Sequence, residues 1–218
     1  MSNLELRYYF DPLCGWCYAS AEALAALAER HGGQLCMMPV GLFHEPRPVA
    51  AIADYAWRND QRISQLTGQP FTEEYHRNVL QAPDGVFTSE ALTLALVALG
   101  EIDRALEPRF LNIAQIARYV KGRDTSRVEE VVQVAETVAT AAGFAFDKAA
   151  FGDMLRNDKA LAARMKDRIA AATAELPGGG VPQLLVQVGG KTHGVSGQTL
   201  YAGRDAVLAA VEQLSCRP

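Results

Sequence analysis

The stretch "YYFDPLCGWCYASAEALAALAERHGG", residues 8–33, decides how the rest of the chain is read. It opens on bulky, β-favouring residues that continue from Leu4 and Leu6, so residues 4–10 read as a strand. Asp11-Pro12 stops that strand, because proline cannot donate to a central ladder. From Cys14 to Arg30 the chain is rich in alanine, leucine and glutamate, and the spacing predicts one helix ending at His31-Gly32-Gly33 with a left-handed glycine cap. Two cysteines, Cys14 and Cys17, ride the predicted first turn of that helix.

Outward from this stretch the chain divides in three. Residues 34–43 form a second apolar run, a strand interrupted near Pro39. Strand, helix and strand make a βαβ unit with parallel strands and a right-handed crossover. The loop around His44 then lies on the same sheet edge as Cys14. Beyond Pro46 and Pro48, to about residue 176, helical patterns follow one another with almost no strand signal. Ser89 is an expected helix cap, Gly100 an expected stop, and Pro108 an expected fresh start near Glu107. The run "PGGGVP", 177–182, breaks the helices. After it, "QLLVQVGGKTHGV" reads as a hairpin turning at Gly189-Gly190, and "GRDAVLAAVEQLS" as a closing helix. The expected fold is therefore α/β, with residues 1–45 and 177–218 forming one sheet domain and residues 46–176 a helical insertion.

Composition narrows the function classes. The 218 residues are 49% apolar and 21% charged, with a net charge of −4. No basic stripe is present, so nucleic acid and anionic membrane surfaces are not expected partners. The opening "MSNLELRYYF" has no basic, apolar and small-residue leader pattern, which leads to the expectation of a cytoplasmic protein. Four cysteines are too few for a disulfide scaffold. The glycines of "GGKTHG" do not make a phosphate loop, since Leu185 stands where its first glycine belongs.

Chemistry concentrates at Cys14-Gly15-Trp16-Cys17. A thiolate at a helix start is stabilised by free N–H groups and the helix dipole. The spacing lets a disulfide close within one turn. Cys14, nearer the start, is the expected nucleophile, and Cys17 the resolving thiol that displaces a mixed disulfide. Gly15 allows close approach of a partner, and Trp16 offers an apolar surface beside the sulfur. A zinc half-site is the alternative, but only Cys36, His31 and His44 lie near in sequence, in no recognised ligand spacing, so no metal is expected. His44 is a tentative substrate contact or proton relay, against the plainer reading of a polar loop. Cys36 reads as an inert core thiol.

At "DPLCGWCY", "GGGVPQLLV" and the helical middle, the sequence resembles the thioredoxin superfamily, in particular its DsbA-like branch and the leaderless group of dithiol oxidoreductases within it. The resemblance implies a thioredoxin fold carrying a helical insertion and acting as a thiol–disulfide oxidoreductase of the reductase or isomerase type. It implies a cis bond at Val181-Pro182, whose residues position a substrate against Cys14. The implied partners are disulfide- or dithiol-bearing proteins or small molecules, with no bound cofactor and with glutathione as a candidate co-substrate. Strongly oxidising DsbA proteins carry histidine between the cysteines. Gly-Trp here implies a milder couple. Those families also bury an acid on the first strand, where this chain has Tyr8; Asp11 and Glu5 are the nearest acids. Two other functions fit the same resemblance or the same thiols: a kappa-type glutathione transferase or isomerase, and a non-catalytic metal-binding module.

Overall fold

A computed structural model describes residues 4–216 apart from 177 and 179. Strand β1 (Glu5–Phe10) occupies the middle of a four-stranded sheet of order β2-β1-β5-β6, where β2 is Leu35–Pro39, β5 Gln183–Val188 and β6 Lys191–Val195. β1 and β2 run parallel, with Tyr8 opposite Met37. β5 runs antiparallel to β1, with Tyr8 opposite Leu184, and β6 folds back on β5. The two ends of the chain thus build one sheet. This is the single sheet that the βαβ and hairpin signals predict, in the thioredoxin arrangement that the resemblance implies.

The helices between β2 and β5 are α3 (Ala53–Thr67), the short α4 (Glu73–Tyr75), α5 (Glu90–Ile102), α6 (Leu106–Tyr119), α7 (Val128–Ala141), α8 (Lys148–Asn157) and α9 (Lys159–Glu175). A π-helical turn, His76–Leu80, continues α4. α5 is apolar around most of its circumference and is the buried centre of this group. An ion pair between buried Glu107 and partly exposed Arg168 ties α6 to α9, and the guanidinium also donates to the carbonyl of Met37 on β2.

Three local expectations change. The helix predicted from Cys14 to Arg30 is two helices, α1 (Gly15–Ala19) and α2 (Ala21–His31). The reason is Ser20: its hydroxyl donates to the carbonyl of Cys17 at 2.9 Å, competing for an acceptor the continuing helix needs. Gly32 is right-handed, at φ −54°, rather than a left-handed cap. A Cβ there would stand 2.6 Å from the Ala28 carbonyl oxygen. Gly100 does not stop α5, which runs on to Ile102; a Cβ at Gly100 would collide with the Glu107 carboxylate, so the glycine serves the close α5–α6 contact. Two elements had no expectation: a small ribbon pairing β3 (Arg47–Pro48) with β4 (Val86–Phe87), and helix α10 (Gly197–Tyr201) before the closing α11 (Arg204–Ser215).

Candidate active site

β1 hands over to α1 through the loop Asp11–Cys14, and every polar group of that loop is tied down. The Asp11 carboxylate is fully buried. It accepts from the Leu13 N–H at 2.9 Å, the Phe43 N–H at 3.0 Å and the Ser89 hydroxyl at 3.0 Å. One side chain therefore pins the loop before Cys14, the loop after β2 and the start of α5. Ser89 sits where the cap was expected, yet its hydroxyl serves Asp11 rather than its own helix. Burial pushes the Asp11 carboxyl up, and its three donors and the nearby His44 oppose that shift. From α6, the Tyr119 hydroxyl donates to the Leu13 carbonyl at 2.8 Å, and the Gln115 amide reaches that of Pro12 at 3.4 Å. The insertion thus holds the strand-to-helix turn from outside.

Cys14 occupies the position before α1, with extended backbone, and its carbonyl accepts from the N–H groups of Cys17 and Tyr18. Both cysteines carry free thiols. Both are buried, Cys14 keeping 7% of its surface and Cys17 only 1%, so Cys14 is the more exposed of the two. The Cys14 thiol points at the Val181 carbonyl oxygen, 3.6 Å away. The Val181-Pro182 peptide is cis. Burial pushes the Cys17 thiol well above the ordinary cysteine range; the neighbouring Cys14 adds to this and the Asp11 backbone N–H opposes it. Tyr8 fills the floor beneath. Its hydroxyl bonds the Ser20 hydroxyl at 2.7 Å and lies 3.4 Å from the Cys17 carbonyl.

Trp16 faces out of this arrangement. It packs against Tyr201 of α10, ring centroids 5.0 Å apart. The two rings, with Gly180, Val181 and Pro182, line an open cleft of about 300 Å³ beside Cys14. Sequence reasoning placed Gly15, Trp16, Val181 and Pro182 together but missed Tyr201, because α10 is a five-residue helix without a periodic signal. It also missed Asp60 of α3, a carboxylate only 4% exposed that lies against Gly15. The available signal was an acid on the face that carries Ala56 and Ile63.

His44 stands on the loop after β2. Among the described residues no hydrogen bond links its ring to either cysteine, and its Nδ1 is buried without a partner. Cys36 departs from the inert-core expectation: it is partly exposed, and Arg104 donates to its sulfur at 3.0 Å. Among the described residues, no group of three or more histidine, cysteine or acidic side chains is arranged to hold a metal. Nor, among them, is any helix long and apolar enough to cross a membrane.

The chain matches no family model and no curated protein. Solved structures do match. The cytosolic disulfide reductase DsbM from Pseudomonas aeruginosa is 27% identical, superposes with a TM-score of 0.82, and is covered over its full length by 98% of this chain. The same protein with glutathione gives 0.78 at 27% identity, over 96% of this chain and 98% of that one. A 2-hydroxychromene-2-carboxylate isomerase shares the fold at 19% identity and a TM-score of 0.58, over 96% of this chain and 95% of that one. The chain shares the fold of the DsbA-like thioredoxin oxidoreductases, and the likeness supports thiol–disulfide oxidoreductase activity. The kappa-type transferase reading is not favoured, since the isomerase likeness carries only the fold.

Proposed function

We propose that this oxidoreductase works as a cytoplasmic disulfide reductase or isomerase, with Cys14 as nucleophile and Cys17 as resolving thiol. The observation that carries the reading is the asymmetry of the pair: Cys14 is the more exposed and faces the Val181 carbonyl, while Cys17 is sealed above Tyr8. Cys14 as thiolate attacks one sulfur of a substrate disulfide. That S–S bond breaks, one substrate thiol leaves with a proton, and a Cys14–substrate disulfide forms. Cys17 then loses its proton and attacks the Cys14 sulfur. The second substrate thiol leaves, and the enzyme carries the Cys14–Cys17 disulfide. Two electrons have passed to the substrate.

The surroundings suit each step. The raised Cys17 thiol stays protonated, and so inert, until a mixed disulfide brings it into play. An extended substrate lies against Val181-Pro182 and offers backbone groups to Val181. Trp16 and Tyr201 form an apolar wall for the residue next to the substrate sulfur. Glutathione, as co-substrate, returns the pair to the dithiol; the similar DsbM structure holds glutathione. A cytosolic neighbour supports the cytoplasmic setting, where thiols are kept reduced.

Reduction of insulin with glutathione or a dithiol as electron source tests the roles. Cys14→Ser is expected to abolish turnover, and Cys17→Ala to accumulate a mixed disulfide on Cys14. Full turnover by Cys14→Ser removes the assignment. A potential for the pair near roughly −270 mV supports the reductase direction, and one near −120 mV reverses it.

A further inference from the structure

Asp60 projects from α3 onto the turn that carries the two cysteines. A Cβ built on Gly15 would stand 2.5 Å from Asp60 Oδ1, so this oxygen rests directly on the Gly15 backbone, one residue from Cys14. The other oxygen, Oδ2, accepts from the Tyr75 hydroxyl at 3.0 Å. We propose that Asp60 couples the redox state of the Cys14–Cys17 pair to protons: it is ionised beside the disulfide and protonated beside the reduced pair. Asp60 does not touch the reacting sulfurs. It acts through charge and position, and the inference rests on Cys14 being the nucleophile.

The geometry supplies the coupling. Adjacent Cα atoms are ~3.8 Å apart, which keeps the carboxylate within roughly 11 Å of the Cys14 sulfur. Both groups are buried, so two negative charges there repel more than at a surface. The titratable and charged groups around Asp60 are few. Tyr75 comes from α4, with His76 in the following turn; Arg118 and Tyr119 come from α6; Cys14 and Cys17 come from the α1 side. Arg118 is 1% exposed. Its guanidinium lies 5.6 Å from the Tyr75 ring centre and 5.4 Å from that of Phe87, with Asp124 at 3.7 Å. That cation attracts the ionised form of Asp60, and burial opposes it. Burial wins, and the Asp60 carboxyl is pushed up to about 7, with Tyr75 and Arg118 acting against the shift. A group poised near neutrality responds to a single nearby charge.

The balance is closed. Two glutathione thiols, or one dithiol, give two electrons and two protons. The Cys14–Cys17 bond breaks, Cys17 takes one proton, and Cys14 keeps a negative charge. The second proton goes to the Asp60 carboxylate. On reoxidation the substrate sulfurs take both protons back.

Redox-difference infrared spectroscopy of the wild-type protein at neutral pH tests this directly. A carboxylic-acid C=O band is expected to appear on reduction and to vanish in Asp60→Asn. Its absence in the wild type overturns the proposal whatever the variants do, and its persistence in Asp60→Asn assigns the proton elsewhere and equally overturns it. Proton uptake on reduction at pH 7, followed with a pH indicator, is the second readout. Asp60→Asn is expected to take up as much as about one proton fewer per pair reduced than the wild type. Tyr75→Phe removes a donor that favours the ionised form, so Asp60 holds more of its proton beside the disulfide and uptake at pH 7 falls the same way by less. This variant decides the matter if Asp60→Asn does not fold. Equal uptake in all three proteins, with Cys14 still alkylated and Cys14→Ser inert, refutes the role of Asp60 while leaving Cys14 as the reactive thiol.

Discussion

Gly15→Ala tests the close contact of α1 with Asp60 and Ile63 of α3 beside the cysteine pair. In most helices this change stabilises, by up to about 1 kcal/mol, because alanine loses less backbone entropy. Gly15 is not at positive φ, so no backbone strain opposes the gain. The new methyl carbon, however, would stand 2.5 Å from Asp60 Oδ1 and 3.0 Å from Ile63 Cδ1. Both neighbours are buried and belong to one helix, so α3 must move away from α1 or Asp60 must leave its rotamer and its bond to Tyr75. Overpacking of this kind costs about 1–3 kcal/mol. The net expectation is a loss of about 1–2 kcal/mol, or roughly 2–8 °C in Tm for a chain of this size.

Urea unfolding of four proteins measures it: wild type, Gly15→Ala, Asp60→Ala and the double variant. If the clash is with the carboxylate, Gly15→Ala costs at least about 1 kcal/mol less in the Asp60→Ala background. Gly33→Ala is the control, because nothing lies within 4 Å of a Cβ there. It is expected to be neutral or mildly stabilising. A Gly15→Ala protein as stable as the wild type in both backgrounds would show that α1 and α3 do not meet as described.

Other outcomes follow from the same contacts. Asp11→Ala leaves two buried N–H groups and a hydroxyl without their acceptor, and is expected to cost roughly 3–5 kcal/mol in urea unfolding. Tyr119→Phe strands only the Leu13 carbonyl and is expected to cost about 1–2 kcal/mol while lowering kcat/KM, since that carbonyl precedes Cys14. Trp16 lies beside the pair and Trp57 lies stacked on His76, so redox-dependent fluorescence is expected to disappear in Trp16→Phe and persist in Trp57→Phe. For pH, the folded protein holds the Asp60 proton up to about 7 while the unfolded chain releases it near 3.9. Folded molecules bind more protons across that window, so Asp60 makes stability fall as pH rises from about 4 to about 7, by up to ~1.4 kcal/mol per pH unit. Asp60→Asn is expected to remove that slope, and a slope unchanged in Asp60→Asn would contradict the shift.

What could be read from the sequence, and what could not, separates along one physical line. β1, the cysteine turn, the Gly189-Gly190 hairpin and the helical middle announce themselves through local chemistry: proline stops, glycine turns, periodic apolar residues. Cys14, Cys17 and Pro182 carry their meaning in residue type and spacing. Asp11, Asp60, Tyr119 and Tyr201 do not. Each has an ordinary local context, and each matters because the fold brings a distant element against the first turn of α1. Tyr119 comes from more than a hundred residues away to hold one carbonyl. Asp60 looked like one more polar residue in "WRNDQRISQL", although its place among Ala56 and Ile63 was a legible anomaly. The same distinction accounts for Ser20 and Ser89. Both were read by local rules, as helix interior and as cap, and in each the hydroxyl was taken by an acceptor of the site, the Cys17 carbonyl or the Asp11 carboxylate. Ser20 and Ser89 depart from helix rules because the turn that carries the two cysteines must be held from several directions. A redox pair that alternates between bonded and free sulfurs needs surroundings that do not alternate with it, and here the helical insertion supplies much of that restraint.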